Sequence, residues 1–259
     1  MDRRGRIEMR QGHRIYDTHT HLGSARHSGR QCSLEQMLAS MDRYGVDRSM
    51  LIPFPVVEDY KLTHDAIAAA IRAFPDRFAG SACLSPFVPQ QEYLGEIRRC
   101  SEELGFRAIK LQPQYQPLNP LSDRSDFLWE AAVRHKMPVI VHTGAGAPYA
   151  LPSLYIMPAR RFPELTIVLG HCGGGLYTLE GIVAASVCPN IYLELSSLMP
   201  HHVHEVLTHV PPSRLMAGSD LPESLETELG KIFTLELDDA GRRNILWNTA
   251  RRVFDGVTE

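Results

Sequence analysis

Short apolar runs alternate along this chain with longer stretches in which apolar residues recur at helical spacing. The strand-length runs are Arg14 to Leu22, Arg48 to Phe54, Phe78 to Leu84, Phe106 to Leu111, Pro138 to Thr143, Thr166 to His171, Ile191 to Ser196 and Leu215 to Asp220. Between and after them, the 3.6-residue period predicts helices over Leu34 to Tyr44, Thr63 to Phe74, Gln91 to Leu104, Phe127 to His135, Leu154 to Phe162, Leu176 to Val187, His202 to His209 and Leu225 to Leu235. Ser33, followed by Glu35 and Gln36, has the form of a helix N-cap. Pro75, Pro138, Pro163 and Pro189 stop a helix and preset an extended entry into the next strand. Eight strands each followed by a helix predict a single (β/α)8 TIM barrel over residues 1–259, with 1–13 as a flexible or peripheral segment.

Polar residues interrupt the strand pattern at the strand ends. His19 and His21 close the first strand, His142 the fifth, His171 the sixth and Asp220 the eighth. In such barrels the C-terminal ends of the strands carry the chemistry, and four imidazoles with a carboxylate at one level form a divalent-metal site. Alternation along Tyr16-Asp17-Thr18-His19-Thr20-His21 puts Asp17, His19 and His21 on one face, where Asp17 could accept a hydrogen bond from a ligand imidazole. The same parity turns Lys110 inward beside Gln112, and the expectation is an unmodified amine that contacts an aspartate, water or substrate. Arg26, His27 and Arg30 in the first loop could meet a substrate carboxylate, although surface solvation claims at least two of them. His201, His202 and His204 read as a solvated helix face, and Cys172, of opposite parity to His171, as filler. Gly144-Ala145-Gly146 and Gly173-Gly174-Gly175 lack the lysine or the strand context of a phosphate loop.

Composition changes this picture little. A 44% apolar and 22% charged chain with a net charge of −3 has the material for a large core and gives no sign of a nucleic-acid or membrane partner. The basic run Arg3-Arg4-Gly5-Arg6 is too short to argue otherwise. No apolar run reaches the length of a membrane span or a secretory leader, so a cytoplasmic protein is expected. Five scattered cysteines without C-x-x-C spacing suit reduced thiols.

Taken in order, the motifs Asp17-Thr18-His19-Thr20-His21, Ile109-Lys110-Leu111-Gln112-Pro113, Val141-His142-Thr143-Gly144-Ala145-Gly146, Gly170-His171-Cys172-Gly173-Gly174, Gly218-Ser219-Asp220-Leu221-Pro222 and Asn244 to Phe254 resemble the amidohydrolase superfamily. Within it, the resemblance is to the amidohydrolase-related group of metal-dependent hydrolases and decarboxylases. It implies that His19, His21, His142 and Asp220 are ligands or near-ligands of a divalent metal and that His171 is either a further ligand or a catalytic acid/base beside it, with zinc first, manganese or iron as alternatives, and one ion rather than two. Asp220 and His171 are the implied catalytic pair. The leading expectation is hydrolysis, a metal-activated hydroxide attacking an ester, lactone or amide carbonyl of a small substrate. Non-oxidative decarboxylation of an unsaturated or aromatic acid is the alternative, and a non-catalytic metal-binding barrel a third. Dimers are frequent in that group, which makes a homodimer one of the expected states.

Overall fold

The computed structural model describes residues 12–144 and 148–257. The Arg3 to Arg6 run, most of the expected peripheral segment and residues 145–147 of the Gly144 loop lie outside these. Nine strands form one sheet in the order β2-β1-β3-β4-β5-β6-β7-β8-β9. They are β1 (Tyr16–Ser24), β2 (Gln31–Cys32), β3 (Arg48–Pro53), β4 (Phe78–Ala82), β5 (Ala108–Leu111), β6 (Val139–His142), β7 (Ile167–Gly170), β8 (Ile191–Glu194) and β9 (Leu215–Met216). All neighbours from β1 and β3 through to β9 pair in parallel, while β2 folds back antiparallel on the end of β1. The helices are α1 (Leu34–Tyr44), α2 (Tyr60–Ala73), α3 (Gln90–Glu102), α4 (Asp126–Arg134), α5 (Ile156–Arg161), α6 (Thr178–Val187), α7 (Pro200–His209), α8 (Leu225–Thr234) and α9 (Asp239–Arg243).

The sheet curls until its flanks meet. Thr18 N donates to Ala217 O at 3.0 Å, Asp220 N donates to His19 O at 2.7 Å, and Thr20 bridges Asp220. This seam is thinner than a strand pair, because the run expected as one strand from Leu215 to Asp220 stays extended only to Met216 before Asp220 turns to φ 62°. Likewise β7 ends at Gly170, and His171 begins a short turn at φ 63°. The hairpin strand β2 was not expected, since its two residues sit in a polar, glycine-bearing stretch that reads as loop.

Alternation along the strands sorts the core into two layers. Outward residues such as Leu51, Ile109, Val141, Leu169 and Leu193 pack under the helices. Inward residues Met50, Ile52, Ala108, Ile140, Val168 and Met216 fill the inside of the curl together with Tyr16. That inner layer is floored by the C-terminal segment, where Trp247 and Phe254 sit 5.9 and 6.3 Å from the Tyr16 ring. The sequence pattern assigned no element there; the chain continues from α9 into two π-helical turns, Asn244–Asn248 and Arg251–Asp255. Above the apolar layer, the next inward positions are Lys110, His142 and Glu194, so apolar packing gives way to polar groups at the strand ends.

The Ser33 cap forms as expected: its Oγ accepts from Gln36 N, and Gln36 Oε1 accepts from Ser33 N. All five cysteines are free and buried. Among the described residues, no helix is long and apolar enough to cross a membrane.

Candidate metal centre

A bulge in β1 sets up the site. The β1–β3 register shifts between Asp17 and Thr20, so side-chain parity changes within the strand. Tyr16 below the shift and His19 and His21 above it therefore all face inward. Asp17 does not sit under an imidazole: its carboxylate accepts from Ser219 N at 2.9 Å, Ser219 Oγ at 2.6 Å and His19 N at 3.3 Å. It pins the seam between the first and last strands instead. Burial pushes its pKa up to about 7, against the pull of the Ser219 hydrogen bonds.

The partner expected of Asp17 is supplied by Glu194, at the end of β8. Its Oε2 accepts from His19 Nδ1 at 2.8 Å, from His171 N at 3.1 Å and from Ser196 Oγ at 2.9 Å, while Oε1 accepts from Ser196 N at 2.5 Å. Because the Ser196 hydroxyl proton is committed to Glu194, Ser196 Oγ accepts from His171 Nδ1 at 2.8 Å. His21 Nδ1 donates to Pro53 O at 3.1 Å, and its ring stacks on Phe54. Three imidazoles are thus held by Nδ1, and each turns Nε2 toward one oxygen. Asp220 Oδ1 lies 3.7 Å from His19 Nε2, 3.5 Å from His21 Nε2 and 4.0 Å from His171 Nε2.

The five expected ligands meet at this end of the sheet, but unequally. His19, His171 and Asp220 form a group whose donor atoms lie within 4.8 Å of one another. His21 reaches the group through Asp220. His142 sits beyond His171, ring to ring at 4.7 Å, and opens onto the cavity. Burial pushes His171 down to about 4 and His142 to about 2, and it holds His19 well below the ordinary imidazole range. Nitrogen lone pairs are therefore available at neutral pH. Burial alone would favour the protonated acid at Asp220, but the His21 hydrogen bond and the neighbouring imidazoles outweigh it and keep the carboxyl ionised. Neutral imidazoles oriented by Nδ1 acceptors around an ionised carboxylate fit a divalent cation.

Lys110 reaches neither an aspartate nor the cavity. Its Nζ lies 2.6 Å from His19 Nε2, fully buried, and burial lowers its pKa to about 8. A cation taken up at His19 Nε2 displaces this contact.

Small residues make the room. A Cβ on Gly218 would stand 2.5 Å from Glu194 Oε1 and 2.9 Å from His19 Cβ, and one on Gly170 3.2 Å from His19 Cε1. His171, Cys172 and Asp220 adopt φ of 63°, 42° and 62°, a left-handed backbone that costs non-glycine residues about 1 kcal/mol or more each. That strain sits on two of the three grouped donors.

A cavity of about 430 Å³ opens above the centre, bordered by His21, His142, Asp220 and Gln112 below and by His27, Arg30 and Tyr115 at the rim. Arg30 is exposed and lies 3.5 Å from the Glu223 carboxylate, while His27 packs on Tyr115. Arg26 is exposed and does not border this cavity. His201 and His204 are exposed on α7, whereas His202 packs beside Gly175. Cys172 Sγ is buried against Gly181 of α6. A larger hollow, about 510 Å³ beside α1, holds none of the donor groups.

Glu194 is the residue that motif reading missed. Its signal was present, since a carboxylate closing the apolar run Ile191-Tyr192-Leu193 on the inward parity must be paired or neutralised.

The chain is similar to several known proteins. A 2-keto-4-carboxy-3-hexenedioate hydratase of Sphingobium sp. strain NBRC 103272 / SYK-6 is 27% identical over 154 residues, covering 50% of this chain and 43% of that protein. The match thus spans less than half the length of that relative. Among solved structures, the 5-carboxyvanillate decarboxylase of Novosphingobium aromaticivorans DSM 12444, complexed with manganese and 4-hydroxy-3-methoxy-5-nitrobenzoic acid, superposes with a TM-score of 0.76 at 17% identity, over 95% of this chain and 97% of that one. The 2,6-dihydroxybenzoate decarboxylase from Rhizobium gives 0.76 at 17% identity, over 94% and 99% of the two chains. The 4-oxalomesaconate hydratase of Rhodopseudomonas palustris gives 0.72 at 19%, over 93% and 95%. At such identities the likeness is one of fold. The amidohydrolase family model matches residues 16–256, nearly the whole chain, and the protein therefore belongs to the amidohydrolase family.

Proposed function

We propose that this protein is a metal-dependent lyase acting on a small unsaturated or aromatic carboxylate, by decarboxylation or hydration, in the mouth of a closed (β/α)8 barrel. The observation that carries the metal reading is the convergence of three Nδ1-anchored imidazoles on Asp220 Oδ1. His19, His171 and Asp220 would hold one divalent ion, with His21 and His142 as further imidazoles beside this group. Zinc, manganese and iron(II) all suit imidazole and carboxylate donors, and manganese is the ion bound in the decarboxylase neighbour. A divalent cation there supplies Lewis acidity toward a substrate oxygen.

The protein's own groups do the rest. Asp220, ionised and about one-third exposed to the cavity, accepts or returns a proton at Oδ1 or Oδ2. Arg30 and His27 at the rim receive a carboxylate, and Tyr115 packs against a planar substrate. The names of the relatives tilt the choice toward lyase chemistry over the ester, lactone or amide hydrolysis expected first. Hydrolysis stays as the second reading, because an ionised Asp220 facing an open cavity also suits a base for water.

Elemental analysis of protein purified without chelator is the first test, with about one equivalent of metal expected and most of it lost in His19→Ala and Asp220→Ala. Screening 5-carboxyvanillate, 2,6-dihydroxybenzoate and unsaturated dicarboxylates for released CO2 or lost absorbance, beside proton release on a lactone and ester panel, separates lyase from hydrolase. Turnover confined to the ester panel would reject the lyase reading. Metal-free protein that folds and behaves identically in both variants would reject the metal centre and favour a non-catalytic barrel.

A further inference from the structure

Gln112 carries an unmet hydrogen-bonding demand at the floor of the cavity. It directly follows β5, on the inward parity of Lys110, and borders the space shared by His142 and Asp220. Only 6% of the residue is exposed, yet its Oε1 is buried without a hydrogen-bond partner among the described residues. Of the described residues that border this cavity, Gln112 is the one with such an atom.

Its backbone, by contrast, is satisfied and fixed. Gln112 N donates to Gln116 Oε1 at 2.9 Å, and Gln112 O accepts from Tyr115 N and Gln116 N, each at 2.9 Å. Gln116 is itself buried and donates from Nε2 to Cys83 Sγ at 3.7 Å. This turn holds Gln112 at the floor while it carries Tyr115 out to the rim. A buried carbonyl oxygen left unpaired lowers the stability of the fold, and one that faces a cavity is a docking point for a ligand's donor.

The neighbouring groups narrow what that donor is. A divalent cation, Arg30 and His27 all attract substrate oxygens that carry lone pairs and negative charge. Gln112 Oε1 has the opposite requirement, because a carbonyl oxygen accepts a hydrogen bond and repels a carboxylate oxygen. A hydroxyl meets it. We propose that Gln112 is a specificity residue whose Oε1 accepts from a hydroxyl carried by the substrate beside its carboxylate. The assignment rests on the reading of this cavity as the site of a carboxylate-processing enzyme, and it narrows the substrates to hydroxy acids. An acid without the hydroxyl leaves the oxygen unpaired and sealed from water, so it loses more than one favourable contact.

Two acids of similar shape, titrated calorimetrically into the manganese-loaded full chain, test this. 2,6-Dihydroxybenzoate carries a donor on each side of its carboxylate, so turning the ring over leaves one in the same place, whereas 2,6-difluorobenzoate carries none. The wild type should bind the dihydroxy acid more tightly. Gln112→Met keeps the length of the side chain and removes the acceptor, and it should shrink that preference about tenfold. Any preference that comes from the cation is common to both proteins and cancels in the comparison. Metal content should be unchanged in Gln112→Met, and the ligand-free variant should melt no lower than the wild type, since it no longer buries an unpaired oxygen. Binding of both acids with a preference indifferent to Gln112→Met, or a variant that melts several degrees lower, would overturn the assignment and leave the lyase reading standing. Failure of both acids to bind the manganese-loaded wild type would overturn the carboxylate reading and this assignment with it.

Discussion

Replacing Glu194 with glutamine tests how the imidazoles are held. The substitution keeps the shape but turns one oxygen into a donor, in a place where four donors converge on two oxygens. The amide oxygen is best spent on the Oε2 side, where His19 Nδ1, His171 N and Ser196 Oγ all donate. The new NH2 group then faces Ser196 N, which sits 2.5 Å from Oε1 in the native protein. One donor is left facing a donor, costing about 1–3 kcal/mol, and the three remaining bonds lose their charge assistance. A net stability loss of about 2–3 kcal/mol follows, since a neutral amide also costs less to bury than a carboxylate. His19 Nδ1 keeps an acceptor, but one without charge, so its tautomer is less firmly fixed and its Nε2 a weaker donor to a cation, which weakens metal binding about 10-fold. Urea unfolding of the metal-free protein reads the first effect, and a chelator-competition titration with manganese reads the second. If Glu194→Gln bound manganese as tightly as the wild type while His19→Ala lost it, Glu194 would be a structural buttress with no hold on the ligand, and the argument for oriented imidazoles would fail.

Other consequences are sharper in structure than in chemistry. Gly218→Ala drives a Cβ into Glu194 and His19, and should cost about 3 kcal/mol with loss of metal, a result that thermal unfolding within a degree or two of wild type would contradict. Away from the centre, burial pushes the Glu96 carboxyl up, but hydrogen bonds from His64 and Arg99 overcome it and bring the pKa down to about 2 from 4.5. A depressed carboxyl stabilises the fold above its unfolded pKa, so this contribution, on the order of 2 kcal/mol, is present above pH 4.5 and disappears as pH falls toward 2. Glu96→Gln should remove that part of the acid sensitivity, and unchanged urea midpoints between pH 5 and pH 3 relative to wild type would refute it. For a carboxylate substrate, Arg30→Ala should raise KM about tenfold with kcat nearly kept, because Arg30 stands at the rim rather than beside the metal ligands; a fall in kcat alone would place it elsewhere.

Local pattern carried much of this protein. Alternating apolar runs named eight of the nine strands, and the inward parity of Lys110 and His142 followed from their own strands, because a regular strand sends every second side chain to the same side. The positions of His19, His21, His142, His171 and Asp220 at strand ends were likewise visible, and so was the metal chemistry that such a set invites. What the chain alone could not reveal depended on departures from regularity and on partners far away in sequence. The β1 bulge breaks the alternation that would have set Asp17 beneath an imidazole, and the left-handed turn at Asp220 ends the last strand early. Glu194 meets His19 across 175 positions, and Lys110 meets it across 91. The unequal roles of the five donors were equally out of reach. Residue type and period are local properties, whereas a hydrogen bond is decided by which backbones the packed core brings together, and only the tertiary structure supplies that.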